Sequence, residues 1–430
     1  MSDKISNSGR YTTDTTYLNL TGQDIWGDLG SDLDELSPEE RRNIVELDRQ
    51  LHSQWGLGRN FILGWNAVHK GIQILVLPHY TVAEYAFAVR FKQTGDTTGT
   101  HAAADFVMGL LGQNRQLDNV QMANAARLLE VDPVKVAFTK PLSGTSIETR
   151  VIEKLVTRYG VSYVEGRAVA LFDIVGFSLL SPFEQMTQLN SLSYSLNSSH
   201  SKMLDREVNI NFTRSSTGDG FYIWNRDLGV SANTNLYHLM HLTLADNAIA
   251  RNKANGRTVP LLRTAFHIGS CYEYHQSAGL NPTVFSDIVG DVTIDLARMS
   301  ERSAPGQVLV GDFHVTIPAD ETNPAVELDA VAFVEHAQAN LLQLNGLVLA
   351  GEEVESIKCY LTGEPHEGAY SIRKLGIQDK HGFDHSVFNA KINIHRSGAE
   401  PIFLGIEDQM LRGDDVGMKT TGYIMPTPSH

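Results

Sequence analysis

The run Ala168-Val169-Ala170-Leu171-Phe172-Asp173-Ile174 is apolar until it closes on a carboxylate, and Val175-Gly176-Phe177-Ser178 follow it with a glycine. It predicts a buried strand that ends at Asp173, then a turn whose glycine lets the backbone come close to a ligand. Residues 181–205 carry a helical pattern, and Val208 to Thr213 alternate as a strand. Thr217-Gly218-Asp219-Gly220 is a turn leading into Phe221-Tyr222-Ile223-Trp224-Asn225, so this part reads as a hairpin. A helix near 234–252 precedes the strand Leu262–Gly269, and a further helix over 290–302 runs into the strand Gln307–Gly311. This order predicts the α+β class, with helices packed on a largely antiparallel sheet and a ferredoxin-like core.

On the N-terminal side, residues 1–35 are polar without a clear period and read as a mobile arm. Ser37-Pro38-Glu39-Glu40 gives an N-cap, a proline at the first helical position and acids in the first turn. Ile44, Leu47, Leu51 and Trp55 follow at helical spacing, so a helix is expected to about Gly56. The segment Gly71–Pro78 reads as a strand or a buried helix, and 101–130 as helical. Thr145-Ser146-Ile147-Glu148 resembles a capping box, with Gly160 as the stop. Nothing in 1–160 carries chemistry, and this stretch is expected to be a mostly helical accessory or dimerisation region. Beyond residue 312 the pattern loosens, and a strand-rich tail begins near 370.

Composition narrows the function. The formal charge of −15 argues against a binder of phosphate backbones, which needs a basic surface. Cys271 and Cys359 are the only cysteines, so neither a disulfide framework nor a cysteine zinc cluster is expected, and a reducing cytoplasm is the simplest location. The N-terminus lacks the apolar core of a signal peptide, and no apolar run approaches the length of a membrane span. His381, His385 and His395 could suggest a metal site, but no cysteine supports it, and solvent-exposed loop histidines are the expectation.

Four segments together resemble the catalytic domain of the class III adenylate/guanylate cyclases. They are Phe172–Ser178, Thr217-Gly218-Asp219, Arg263–Gly269, and Asp287-Ile288-Val289-Gly290 followed by Ala297-Arg298-Met299 and Pro305–Val310. The resemblance covers 165–312 well and extends loosely to about 376. It implies that Asp173 and Asp219 hold two divalent ions, Mn²⁺ or Mg²⁺, with the Ile174 carbonyl as a further ligand. Hard ions of this kind take oxygen donors, which two aspartates supply. It also implies that the amides of Phe177 and Ser178 meet the phosphates, that Arg298 steadies charge on the α-phosphate, and that the protein is a homodimer with two composite sites.

The chain also departs from the family. The position of the purine-holding lysine or glutamate is Ser215, preceded by Arg214, while the acidic partner is kept as Asp287. The family's asparagine is Ile294, and its late lysine maps onto Thr362, with Lys358 nearby but out of register. These changes resemble bacterial pyrimidine cyclases of antiphage signalling systems, and residues 377–430 resemble the sensor-like module attached to them. Asp287 and one of Arg214 and Ser215 are therefore expected to face the base, since neighbouring residues of a strand point to opposite faces. The expected activity is conversion of UTP, or else CTP, to its 3′,5′-cyclic monophosphate, which would act on a separate effector. Two alternatives stay open: an adenylate cyclase with an unusual base pocket, and a silent cyclase-like module that only dimerises or binds nucleotide.

Overall fold

The computed structural model describes residues 32–90, 99–112, 114–277, 284–318, 325–366, 369–379, 382–411 and 418–425. His381 and the first 31 residues of the expected arm lie outside these. The chain divides into two compact units, the first up to 163 with 273–287, the second from 164 to 272 and from 288 onwards.

In the first unit, Ser37 caps α1 (Pro38–Trp55) through a complete capping box with Glu40. The chain continues through β1 (Asn60–Val68), β2 (Gly71–Pro78), α2 (His79–Arg90), α3 (Gly99–Leu111), α4 (Asn119–Leu129), β3 (Val134–Ala137) and α5 (Ser146–Arg158). Gly71–Pro78 is thus the strand of the two readings, and it is the middle of a sheet in the order β1-β2-β3. The region expected to be mostly helical contains this sheet because Ile62, Ile72, Ile74 and Val136 need a second layer to cover Leu47, Leu51 and Leu155. At α5 the Thr145 hydroxyl accepts from the Glu148 amide, but the Glu148 carboxylate accepts from Ser143 and Gly144 rather than closing a capping box. Residues 32–35, assigned above to the arm, are tied down: Asp32 pairs with Arg150 at 2.7 Å and Lys154 at 2.9 Å.

The second unit opens on β4 (Val161–Ile174), whose first residues belong to the first unit. Then come α6 (Pro182–Leu204), β5 (Phe212–Ser216), β6 (Gly220–Asn225), α7 (Val230–Lys253), β7 (Leu262–Ser277), β8 (Val284–Val289), α8 (Asp291–Arg302) and β9 (Val308–Gly311). The strand order β7-β4-β6-β5, reached through strand–helix–strand–strand–helix–strand, is the ferredoxin-like arrangement predicted above. Helix α8 makes the crossover that lets β9 run parallel to β7. Successive residues of β4 serve opposite faces. Ala170, Phe172 and Ile174 pack with α6 and α7, whereas Val169 and Leu171 pack with Trp224 and with Val292 and Leu296 of α8. Strand β5 begins at Phe212, later than expected, although Val208 and Ile210 before it are buried.

The segment beyond 312 is more ordered than its pattern suggested. It forms β10 (His314–Pro318), β11 (Ala325–Asp329), α9 (Ala330–Asn340), β12 (Val348–Leu349), β13 (Glu352–Leu361), β14 (Pro365–His366), β15 (Ala369–Tyr370), β16 (Ile372–Gln378), β17 (Asp384–Arg396), β18 (Ala399–Leu404) and β19 (Met418–Ile424). The expected boundary at 376/377 falls inside one sheet, since β17 pairs with β9, with Phe388 opposite Val310, and with β13 on its other edge. Residues 384–396 therefore extend the core sheet instead of standing apart from it. His385 and His395 lie on β17 and not in a loop, because six consecutive buried residues, Val387–Ile392, fix this strand between two neighbours. None of the described helices is long and apolar enough to cross a membrane.

Candidate active site

Strand β4 delivers Asp173 opposite Gly220, the first residue of β6. A Cβ at Gly220 would lie 1.8 Å from the Phe172 carbonyl oxygen, so only glycine lets the hairpin close this tightly on β4. Gly218 turns at φ +97°, and the Ile174 amide donates to the Asp219 carbonyl at 2.9 Å. These constraints bring the Asp173 and Asp219 carboxylates together. Gly220→Ala should force β6 off β4 beside both of them and destabilise the protein by about 1–3 kcal/mol. Chemical denaturation of the variant checks this, and an unchanged midpoint would contradict the packing described.

Burial holds the Asp173 carboxyl above the ordinary carboxylate range, and the neighbouring Asp219 pushes the same way. Arg263 on β7 opposes them, with Nε donating to Asp173 Oδ2 at 2.7 Å and Nη2 at 2.5 Å. Asp219 Oδ1 accepts from Thr217 Oγ1 at 3.3 Å. Two adjoining carboxylates whose repulsion one arginine only partly offsets suit a divalent cation. Among the described residues, no group of three or more His, Cys, Asp or Glu is arranged to hold a metal. An ion here would thus depend on two carboxylates, backbone carbonyls such as that of Ile174, and oxygens of a bound phosphate, a donor set that fits magnesium or manganese.

Gly176, at φ +68°, starts the single turn Phe177–Leu179, in which Leu179 N bonds to the Gly176 carbonyl. The amides of Phe177 and Ser178 come too early in this turn to find an acceptor within it. Ser178 is exposed and Phe177 partly buried.

Of the expected base-facing residues, Ser215 pairs with Tyr222 and Arg214 with Ile223. Tyr222 packs with the α8 face of the sheet and Ile223 with the opposite face. Ser215 therefore shares a face with Asp173, two positions on from Leu171, while Arg214 stands on the other. There Arg214 Nη1 donates to Ser193 Oγ on α6 at 2.7 Å, and its guanidinium lies over the Phe221 ring. The hydroxyl of Tyr222 donates to the Thr293 carbonyl at 3.1 Å, which ties β6 to α8. Asp287 lies on the part of β8 that belongs to the first unit, where Oδ2 accepts from the Gln276 amide at 3.4 Å.

Arg298 extends from α8 to form an ion pair with Asp379, Nε lying 3.0 Å from Oδ2, and Nη1 lies 3.4 Å from His385 Nε2 and 3.8 Å from Asp295 Oδ1. Thr362, the position matched to the family lysine, sits inside a closed network, donating to Asp408 and accepting from Asn389. Lys358 is exposed on β13, and Ile294 is half exposed on α8. Arg263 and Asp379 received no role in the sequence reading. Arg263 could have been found as the one charge within the otherwise mostly apolar start of the strand Leu262–Gly269, whereas Asp379 depends on a long-range register.

No protein-family model matches the chain, and no curated protein does. Solved structures to which it is similar include the guanylyl cyclase Cya2, at 12% identity and a TM-score of 0.28 over 53% of this chain and 92% of that one. The adenylyl cyclase CyaB from P. aeruginosa gives 13% and 0.29 over 54% and 95%. The guanylate cyclase domain of RhGC from Catenaria anguillulae, in complex with GTP, gives 12% and 0.27 over 39% and 95%. At such values the chemistry has to be read from the residues themselves.

Proposed function

We propose that the chain is a nucleotide cyclase that closes a pyrimidine nucleoside triphosphate, UTP before CTP, into its 3′,5′-cyclic monophosphate and diphosphate. The observation that carries this reading is the pairing of Asp173 with Asp219 beside the Gly176 turn, on the sheet face that also bears Ser215. In the reaction the ribose 3′-oxygen attacks the α-phosphorus, the bond to diphosphate breaks, and the 3′-hydroxyl proton is released. Divalent ions held by the two aspartates would supply charge neutralisation for the attacking oxygen and the leaving group. Arg263 keeps Asp173 in place, and the amides of Phe177 and Ser178 donate to phosphate oxygens. Arg298 meets the charge that grows on the α-phosphate.

We assign Arg298 to the site of a second copy, as the resemblance to class III cyclases implies. It is paired within its own chain to Asp379, and the apolar side chains Leu179, Phe183 and Met186, exposed next to the Gly176 turn, offer a surface for that copy. The cyclic product would act on a separate effector, as in antiphage signalling.

Ser215 supports the pyrimidine assignment because it offers a short neutral hydroxyl where a charged group would grip a purine. In a competition among the four triphosphates, a pyrimidine should be consumed first, and Ser215→Lys should shift the ATP-to-UTP ratio of kcat/KM by roughly 10-fold or more. Dominant cyclic AMP from the unaltered protein would remove the pyrimidine assignment and leave the cyclase reading in place.

A further inference from the structure

Resting on the cyclase reading of Arg298, we propose that Asp379 is a positioning residue that aims Arg298 at the reacting phosphate. Asp379 closes the turn between β16 and β17. Its amide donates to the Phe383 carbonyl at 2.9 Å, its carbonyl accepts from Gly382 at 3.1 Å, and Oδ1 accepts from the Phe383 amide at 2.9 Å. The carboxylate is therefore fixed before it meets Arg298. Only 1% of its side chain is exposed, against 29% for Arg298, so the acid is the anchor and the arginine the group that reaches outward.

The geometry of the contact argues for aiming over trapping. Asp379 Oδ2 approaches Nε of the guanidinium, whereas a carboxylate that grips an arginine as a fork engages two of its nitrogens through parallel hydrogen bonds. Held at Nε, with Nη1 beside His385 and Asp295, the planar guanidinium loses rotational freedom but keeps Nη2, which has no partner among the described residues, for a phosphate oxygen. His385 backs the pair, with Nε2 3.4 Å from Asp379 Oδ2 and Nδ1 3.5 Å from Asp295 Oδ1, and His267 Nε2 reaches Asp295 Oδ2 at 3.6 Å. Phe383 places its ring 6.0 Å from the guanidinium carbon. The C-terminal strands thus shape the arginine through a contact that the core alone does not provide.

Asp379→Asn in the full chain separates the roles, because its carbonyl can still accept from Phe383 while the anion at Arg298 Nε is lost. We expect kcat to fall by roughly 10- to 100-fold with KM within about twofold of the unaltered protein. In an Arg298→Ala background the same change should cost nothing further, since a residue acting only through Arg298 has nothing left to aim. A kcat within twofold of the unaltered protein, or an equal additional loss in the Arg298→Ala background, overturns the proposal. A crystal structure of the Asp379→Asn protein gives a readout independent of turnover. A displaced guanidinium is expected, and an unmoved one overturns the proposal. If the unaltered protein cyclises none of the four triphosphates while the guanidinium does move, the positioning stands and the cyclase reading falls.

Discussion

Asp173→Asn should lower cyclase turnover at least about 10²-fold and leave the fold intact. Asparagine keeps the size of the side chain but removes one of the two charges that would hold divalent ions. The fold should tolerate the change because Asp173 is strained by its surroundings: burial and the nearby Asp219 both disfavour its ionised form. A neutral side chain relieves that repulsion, and this offsets the loss of the ion pair with Arg263. Thermal unfolding followed beside turnover checks both halves. Activity near that of the unaltered protein would remove Asp173 from the mechanism, and a collapse in thermal stability would mean that its partnership with Arg263 is structural.

Arg298→Ala should be nearly as inactive, and combining the two variants tests where the arginine acts. If Asp173 and Arg298 serve one site from different copies, a mixed dimer collects both defects in one site and neither in the other. Random mixing makes half of the dimers mixed, each with one working site, so the pool should recover about a quarter of the original activity. Co-expression with differently tagged chains secures and verifies the mixing. A verified mixed pool as inactive as either parent would place Arg298 and Asp173 in the same chain's site.

The core of the fold was legible because its signals are local. The end of β4, the turn before β6 and the two long helices each announce themselves within a few residues, and their order alone defines the ferredoxin-like core. The carboxylate pair was legible for the same reason, since Asp219 stands between two glycines and Asp173 three residues before Gly176, glycines that the turns require. Strand β1 was missed because its residues Ile62 to Asn66 are buried in succession. A strand covered on both faces shows no alternation. The C-terminal segment looked separate because nothing local reveals that Phe388 lies opposite Val310, and that register alone joins β17 to the core. Thr362 was aligned with a family lysine by the short run Leu361-Thr362-Gly363, although the structure places it in a buried network with Asp408 and Asn389. Asp379 was invisible for the same reason as β17: it meets Arg298 only once β16 has joined the sheet and α8 has packed against it.

The central claim is that this site makes a cyclic phosphodiester. Phosphorus NMR of the full chain incubated with UTP and Mg²⁺, or with Mn²⁺ that is chelated before the spectrum is taken, tests it most directly. The account predicts one cyclic phosphodiester signal rising in step with one equivalent of diphosphate, and neither in the Asp173→Asn protein. Release of orthophosphate or of the open-chain monophosphate, or no change with any of the four triphosphates in either metal, would contradict it.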